Sequence, residues 1–203
     1  MNNYLMLNNK KIELTPEQVK EIEQSFDFNK VALKNIDVGE TFKIGKFEFV
    51  VLEHHEETTA VILKEFWTRN VFDDDSNNYK ESEIRKKLNN EFYKDLLACI
   101  DSENIVKHRV DLIADDGRTD YGTCEDHISL LTCEMYRKYV YVLDKHKINN
   151  WWWLATPYSV KSNGYEASVR CVDYNLTLNS SICNYGSGVR PFCILKSNIF
   201  VSK

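Results

Sequence analysis

The stretch WWWLATP, residues 151–157, sets three of the four tryptophans of a 203-residue chain side by side. A buried Trp withdraws roughly 150–250 Å² from water, about 4–6 kcal/mol of gross stabilisation, so such a cluster can anchor a domain poor in regular structure. In extended backbone successive side chains face opposite ways. Trp151 and Trp153 are therefore expected on one face of a strand and Trp152 on the other, with at least one of the three less buried. Leu154 continues the apolar run, which favours a structural plug over an exposed ligand platform.

Downstream, residues 158–195 read YSVKSNGYEASVRCVDYNLTLNSSICNYGSGVRPFCIL. Short strands are predicted at ASVRCV (167–172) and VRPFCIL (189–195), separated by stretches rich in Ser, Asn, Gly and Tyr. Long irregular segments inside a compact domain are usually functional or disordered, and the interleaved aromatics here favour order.

Upstream, Thr132 is placed to cap a brief helix, CEMYRKYVYVL. Before it, VDLIADDGRTDYGTCEDHISLLT (110–132) reads as a strand, a turn at Asp116–Gly117 and a second short strand. In FDDDSNNYKESEIRKKLNNEFYKDLLACI a polar loop leads to a helix capped by Ser82, in which Ile84, Leu88, Phe92, Leu96 and Ile100 recur every fourth residue. Asp73, Asp74, Asp75 and Asn77 have the residue types of a calcium loop. The glycine and terminal Glu of an EF-hand are missing, so the segment is expected to be a solvated acidic loop before a helix N-terminus. Phe42 and Ile44, then Phe47, Phe49 and Val51, alternate about Gly45–Lys46 as a hairpin does, and TTAVILK supplies a third strand. Nearer the N-terminus, Thr15, Pro16 and Gln18 form a capping box, with Val19, Ile22 and Phe26 on one helical face. The expected organisation is a strand-and-helix extension over 1–35 and one domain over 36–203.

The bulk numbers narrow the function classes. Apolar residues are 43% and charged residues 28%, an ordinary globular composition, with a net charge of −5. Lys and Arg are scattered without the basic stripe that phosphate neutralisation requires, so no nucleic-acid partner is expected. No signal-like segment and no run of about 20 apolar residues is present, which implies a cytoplasmic protein without membrane insertion. Six cysteines form no CxxC pair and the only tight spacing has His127 between Cys124 and Cys133, so reduced, mostly buried thiols are expected rather than a metal site or disulfides. No Ser elbow, Cys–His spacing or P-loop is found, and Asp111, Asp115, Asp116 and Asp120 around a glycine read as turn formers.

WWWLATP followed by YGSGVRPFCIL (185–195) resembles the C-terminal signature of the DUF6273-type bacterial and phage domains, in which a WWLRSP-like stretch precedes a GVRPAL-like strand. NNYKESEIRKKLNNEF (77–92) and DGRTDYGTCEDHISLLT (116–132) resemble that family's central helix and its SLLT segment, and together the matches cover roughly 37–200. The family is similar in pattern to the C-type lectin-like fold of formylglycine-generating enzymes and of diversified phage receptor-binding proteins. The resemblance implies Trp152, Trp153 and Leu154 in a core strand, Arg190 as a structural arginine in the closing strand, and Ser82, Ile84, Arg85 and Leu88 on a core-packing helix. Ala155, where the family often has Arg, and Cys193, where a small aliphatic residue is usual, depart from the pattern.

The expected fold is α+β and C-type lectin-like: twisted antiparallel sheets, two or three helices, a long irregular C-terminal loop region, and VRPFCIL closing beside the tryptophan strand. The expected function is a non-enzymatic binding module of bacterial or phage origin, without a cofactor, that recognises a protein or glycan. Tyr, Ser, Asn and Gly give large contact area and adaptable hydrogen bonding at low entropic cost. Tyr158, Tyr165, Arg170, Asp173, Tyr174, Asn184 and Tyr185 are the candidate contacts. One alternative is a phage-encoded inhibitor of a host intracellular factor, or a virion-associated component. Another is a copper-dependent oxidase of the formylglycine-generating type, for which Cys171, Cys183 and Cys193 lie in the right region but lack the tight spacing. His54, His55, His108, His127 and His146 do not form the His-x3-His-x-Glu cluster of the related iron enzymes. The oligomeric state is left open.

Overall fold

The computed structural model describes residues 4–7, 9–19 and 30–203. Strands β1 (Tyr4–Leu7) and β2 (Lys10–Glu13) form an antiparallel hairpin in which Tyr4 lies opposite Glu13. The capping box is present: Gln18 N donates to Thr15 Oγ1 (3.2 Å) and Thr15 N to Gln18 Oε1 (3.0 Å), opening a helical turn over 16–19. Ile22 and Phe26 lie outside the described residues.

The larger sheet contains β3 (Lys30–Ala32), β4 (Thr41–Ile44), β5 (Phe47–His54), β6 (Thr58–Leu63), β8 (Ile105–Val106), β11 (Ile128–Ser129), β16 (Phe192–Lys196) and β17 (Phe200–Ser202). Its order is β11-β16-β6-β5-β4-β17-β3, with β8 also pairing β16. A second sheet contains β7 (Thr68–Asn70), β12 (Trp152–Pro157), β13 (Ser168–Val172), β14 (Leu178–Ile182) and β15 (Ser187–Val189), in the order β14-β13-β12-β15-β7. Strands β9 (His108–Asp111) and β10 (Thr123–Asp126) pair with each other across the Asp116–Gly117 turn. The chain is thus α+β, mostly curled antiparallel sheet with few helices.

The predicted β4–β5 hairpin forms with Phe42 opposite Phe49 and Ile44 opposite Phe47. Gly45 turns it at φ +55°, and a Cβ there would come within 2.4 Å of Cys99 Sγ, so both conformation and space call for glycine. Ser82 Oγ accepts from Arg85 N and caps α1 (Glu83–Lys87), which runs through a π-helical turn (Leu88–Phe92) into α2 (Tyr93–Leu97). Thr132 Oγ1 accepts from Met135 N and caps α3 (Cys133–Asp144).

The tryptophans divide as strand alternation requires. Trp153 is fully buried in a core with Phe42, Phe49 and Phe72, and half-buried Trp151 packs on the same side. Trp152 and Leu154 are fully buried on the other face, in a second core with Val50, Ile62, Tyr136 and Leu143 under α3. Edge-to-face contacts hold both indoles, with Phe72 5.8 Å from Trp153 and Tyr136 5.9 Å from Trp152.

Two expectations are corrected. VRPFCIL is not one strand: β15 ends at Val189, parallel to β12, whereas β16 begins at Phe192 in the other sheet, antiparallel to β6. Arg190 and Pro191 make the crossing, and Pro191, which has no N–H to place in a ladder, still accepts from Leu63 N through its carbonyl. The C-terminal region is also less irregular than expected. LNSSI pairs with SVRCV in full register from Leu178↔Val172 to Ile182↔Ser168, forming a hairpin that its polar composition conceals.

Candidate functional site

The loop between β12 and β13 carries Tyr158 and Tyr165, and Asn77, Asp116, Asp120 and Tyr121 hold it from outside. Asn77 is fully buried, with its Nδ2 2.8 Å from the carbonyls of Ser159, Tyr165 and Ser168. Its backbone N donates to Glu166 O (2.6 Å), and Tyr121 OH donates to its Oδ1 (2.7 Å) while accepting from Lys161 N. A short polar side chain thus joins three carbonyls of an irregular segment, of which those of Tyr165 and Ser168 also accept the backbone N–H of Ser168 and Tyr158.

On this support the Tyr158 and Tyr165 rings lie 5.5 Å apart, 39% and 48% exposed. The Arg170 guanidinium sits 5.0 Å over the Tyr158 ring, a cation–π contact. Both Nε and Nη2 of Arg170 donate to Asp115 Oδ2, and Arg137 Nη2 donates to Asp115 Oδ1 (2.9 Å). Burial alone would raise the Asp115 carboxyl, but its two arginine partners outweigh that and hold it below the ordinary aspartate value. The result is a continuous array across the surface, Tyr165–Tyr158–Arg170–Asp115–Arg137. It presents two aromatic rings beside an ionic network in which two arginines share one carboxylate and leave a net positive charge.

The seven predicted contacts separate along the β13–β14 hairpin. Tyr158 and Tyr165 lie at its open end, where Tyr158 N donates to Ser168 O. Asn184 shares with Tyr165 a shallow depression of about 460 Å³ that Asp74, Asp75 and Glu166 also line. Tyr185, 61% exposed, follows at the turn closed by its N–H to Ile182 O. Arg170 stands midway along β13. Asp173 and Tyr174 are at the closed end, about 16 Å away at roughly 3.3 Å per residue. There Asp173 is buried and its Oδ1 accepts from Asn175 N and Thr177 N, so its carboxylate shapes the turn. Tyr174 is 48% exposed.

Sequence reasoning missed Asn77 as a support, Tyr121, Arg137, and Asp115 as the counter-ion of Arg170. Asn77 carried a weak signal, an Asn embedded in a polar run, whereas the partners of Asp115 are distant in sequence and carried none. The three C-terminal cysteines fall on β13, on the turn after β14 and on β16, all buried with free thiols. Burial pushes Cys171 up to about 12 and also raises Cys183 and Cys193, which disfavours the thiolate at neutral pH. Among the described residues no group of three or more His, Cys, Asp or Glu is placed to hold a metal ion, and no helix is long and apolar enough to cross a membrane.

A family model described as Domain of unknown function (DUF6273) matches residues 57–197. No curated protein and no solved structure matches the chain.

Proposed function

The chain belongs to the DUF6273 family, and from that premise we propose that it is a non-enzymatic recognition module that binds a protein or glycan through the open end of its β13–β14 hairpin. The observation that carries this reading is the exposed Tyr158–Tyr165 pair, with Arg170 over one ring, on a loop that the buried Asn77 holds in place. Tyr and Arg are the residues that most often dominate binding energy, and a pre-positioned loop lowers the ordering cost of association. Asn184 and Tyr185 extend the same surface, while Tyr174 at the far end is a peripheral contact. The finer fold assignment, a C-type lectin-like scaffold, is part of the proposal. It is supported by the buried Trp152–Trp153–Leu154 strand and the fully buried Arg190 at the positions the resemblance implies. Bacterial or phage origin and a cytoplasmic or virion location belong to the same reading.

The test immobilises the wild-type chain and a Tyr158→Ala/Tyr165→Ala variant, and screens each against a glycan array and against proteins of a bacterial lysate. A ligand retained by wild type should bind the variant at least about tenfold more weakly, with thermal melting nearly unchanged. A ligand held equally by both would place recognition elsewhere. Glycan binding supports an adhesin, and a single intracellular protein supports a host-factor inhibitor.

A further inference from the structure

The second sheet ends on β14, and its backbone direction follows from two hydrogen bonds of the hairpin. Cys183 N donates to Ala167 O (2.8 Å) and Asp173 N to Thr177 O (3.0 Å). Alternation in an antiparallel ladder then aims Asn179 and Ser181 at β13 and turns the N–H and C=O of Leu178, Ser180 and Ile182 outward. Among these outward groups, Ser180 N donates to Asn179 Oδ1 (2.9 Å) and Ile182 O accepts from Tyr185 N (3.0 Å). The N–H and C=O of Leu178, the C=O of Ser180 and the N–H of Ile182 have no partner among the described residues. Proteins usually blunt such edges with Lys, Pro, a bulge or shortness. The opposite edge, β7, has three residues including Arg69, whereas β14 is five residues of LNSSI in unbroken register, with Ile182 43% exposed.

We propose that β14 pairs antiparallel with β14 of a second copy of this chain, about a two-fold axis through Ser180, joining the two five-stranded sheets edge to edge. The sequence is self-complementary about that axis. Leu178 meets Ile182 of the second copy on one face, Asn179 meets Ser181 on the other, and the two Ser180 residues face each other. Charge selects the same direction. Asp74, Asp75 and Glu166 line the depression at the Ile182 end, while the turn at the Leu178 end exposes only the uncharged Tyr174–Thr177, Asp173 being buried. Antiparallel pairing sets the several carboxylates of each acidic end against a turn whose single aspartate, Asp173, is buried and hydrogen-bonded to its own backbone, and it brings Tyr174 of one copy toward Tyr185 of the other. Parallel pairing would stack the acidic ends. Asn179 acts as a latch, since its carboxamide occupies the Ser180 N–H that pairing needs. One strand pair with flanking tyrosines buries less than the roughly 1,200 Å² of a standard stable interface, so the dimer is weak and depends on concentration. Tyr158 and Tyr165 are not on the pairing edge, whereas Tyr174, Tyr185 and Ile182 border it, so pairing is read from the association state and ligand binding from the Tyr158–Tyr165 pair.

Sedimentation equilibrium on the full chain, from micromolar to sub-millimolar concentration, tests this. Wild type should show a monomer–dimer equilibrium. Ser180→Pro removes an N–H that the β13 ladder does not use and should weaken the dimer at least about tenfold, with melting unchanged. Ile182→Lys puts a charge on the edge and should do the same, and it decides the matter if Ser180→Pro fails to fold. Asn179→Ala frees the latch and should tighten association about fivefold. A wild type that stays monomeric throughout, or a dimer that both Ser180→Pro and Ile182→Lys leave intact, overturns the proposal.

Discussion

At the scale of the residue, Asn77 shows how a side chain off the surface can determine what the surface presents. Its amide reaches the carbonyls of Ser159, Tyr165 and Ser168, on both sides of the loop that displays the tyrosines. Asn77→Ala should destabilise the fold by roughly 1–3 kcal/mol, because the Ser159 carbonyl loses the Asn77 amide and Tyr121 OH loses its acceptor, while the Tyr165 and Ser168 carbonyls keep backbone donors. Urea unfolding measures this, and any ligand found for the tyrosine pair should be weakened at the same time. His108 gives a pH dependence of definite sign. Burial lowers its pKa below the ordinary histidine value, outweighing the backbone of Val106 and the nearby Asp126, while Nε2 lies 2.8 Å from Ser129 Oγ. His127 is lowered as well, again by burial first. Unfolded histidines bind protons from about pH 6.5 downward while these two resist, so stability should be full above that value and fall as the pH drops below it. Melting curves across the acidic range check the trend, and NMR titration of the His108 ring should show a midpoint below 6.5. An ordinary or raised midpoint would mean that the ring is not buried as described.

At the scale of the element, the α1–α2 helix answers a question that its own spacing raises. Apolar residues exactly four apart drift around an α-helix of 3.6 residues per turn, yet Ile84, Leu88, Phe92 and Leu96 are all buried. The π-helical turn at Leu88–Phe92 takes in an extra residue where the drift would accumulate and keeps the four on one side. Asn89, within that turn, fastens it to β11: its Nδ2 donates to Ile128 O (2.9 Å) and its Oδ1 accepts from Ile128 N (3.2 Å). Asn89→Ala should cost about 1–2 kcal/mol in chemical denaturation. The hairpin β4–β5 and the caps Thr15, Ser82 and Thr132 were readable from local pattern because turn chemistry and capping act over three or four residues. Strand β14 was not, since Asn and Ser have low strand propensity and its pairing comes from β13, half-buried as it is, rather than from its own composition.

At the scale of the whole molecule, Arg190 sits where the chain passes from one sheet to the other. Its Nε donates to Leu63 O at the end of β6 (2.8 Å), its guanidinium lies 5.4 Å over the Trp152 ring, and it is fully buried without a carboxylate partner among the described residues. Burial pulls its pKa down to about 10, which leaves it charged at neutral pH. Arg190→Lys loses the planar stack while keeping a buried charge and should destabilise by roughly 2–4 kcal/mol, whereas Arg190→Met, of similar length and uncharged, should lie closer to wild type. Equal losses in the two variants would show that the charge itself is not what costs. At this scale too, Asp115 came to face Arg170 and Arg137, a meeting no spacing could announce.

By itself the sequence determined what acts over short range: the caps, the β4–β5 turn, the alternation that sends Trp152 and Trp153 to opposite cores, and the motifs that mark the family. The tertiary structure alone decided which sheet each strand joins, that VRPFCIL breaks at Arg190–Pro191, and that Asn77, Asp115 and Arg170 support the tyrosines. The physical reason is that local propensities are summed over neighbours in the chain, whereas sheet membership and ion pairing depend on groups brought together only once both cores have closed.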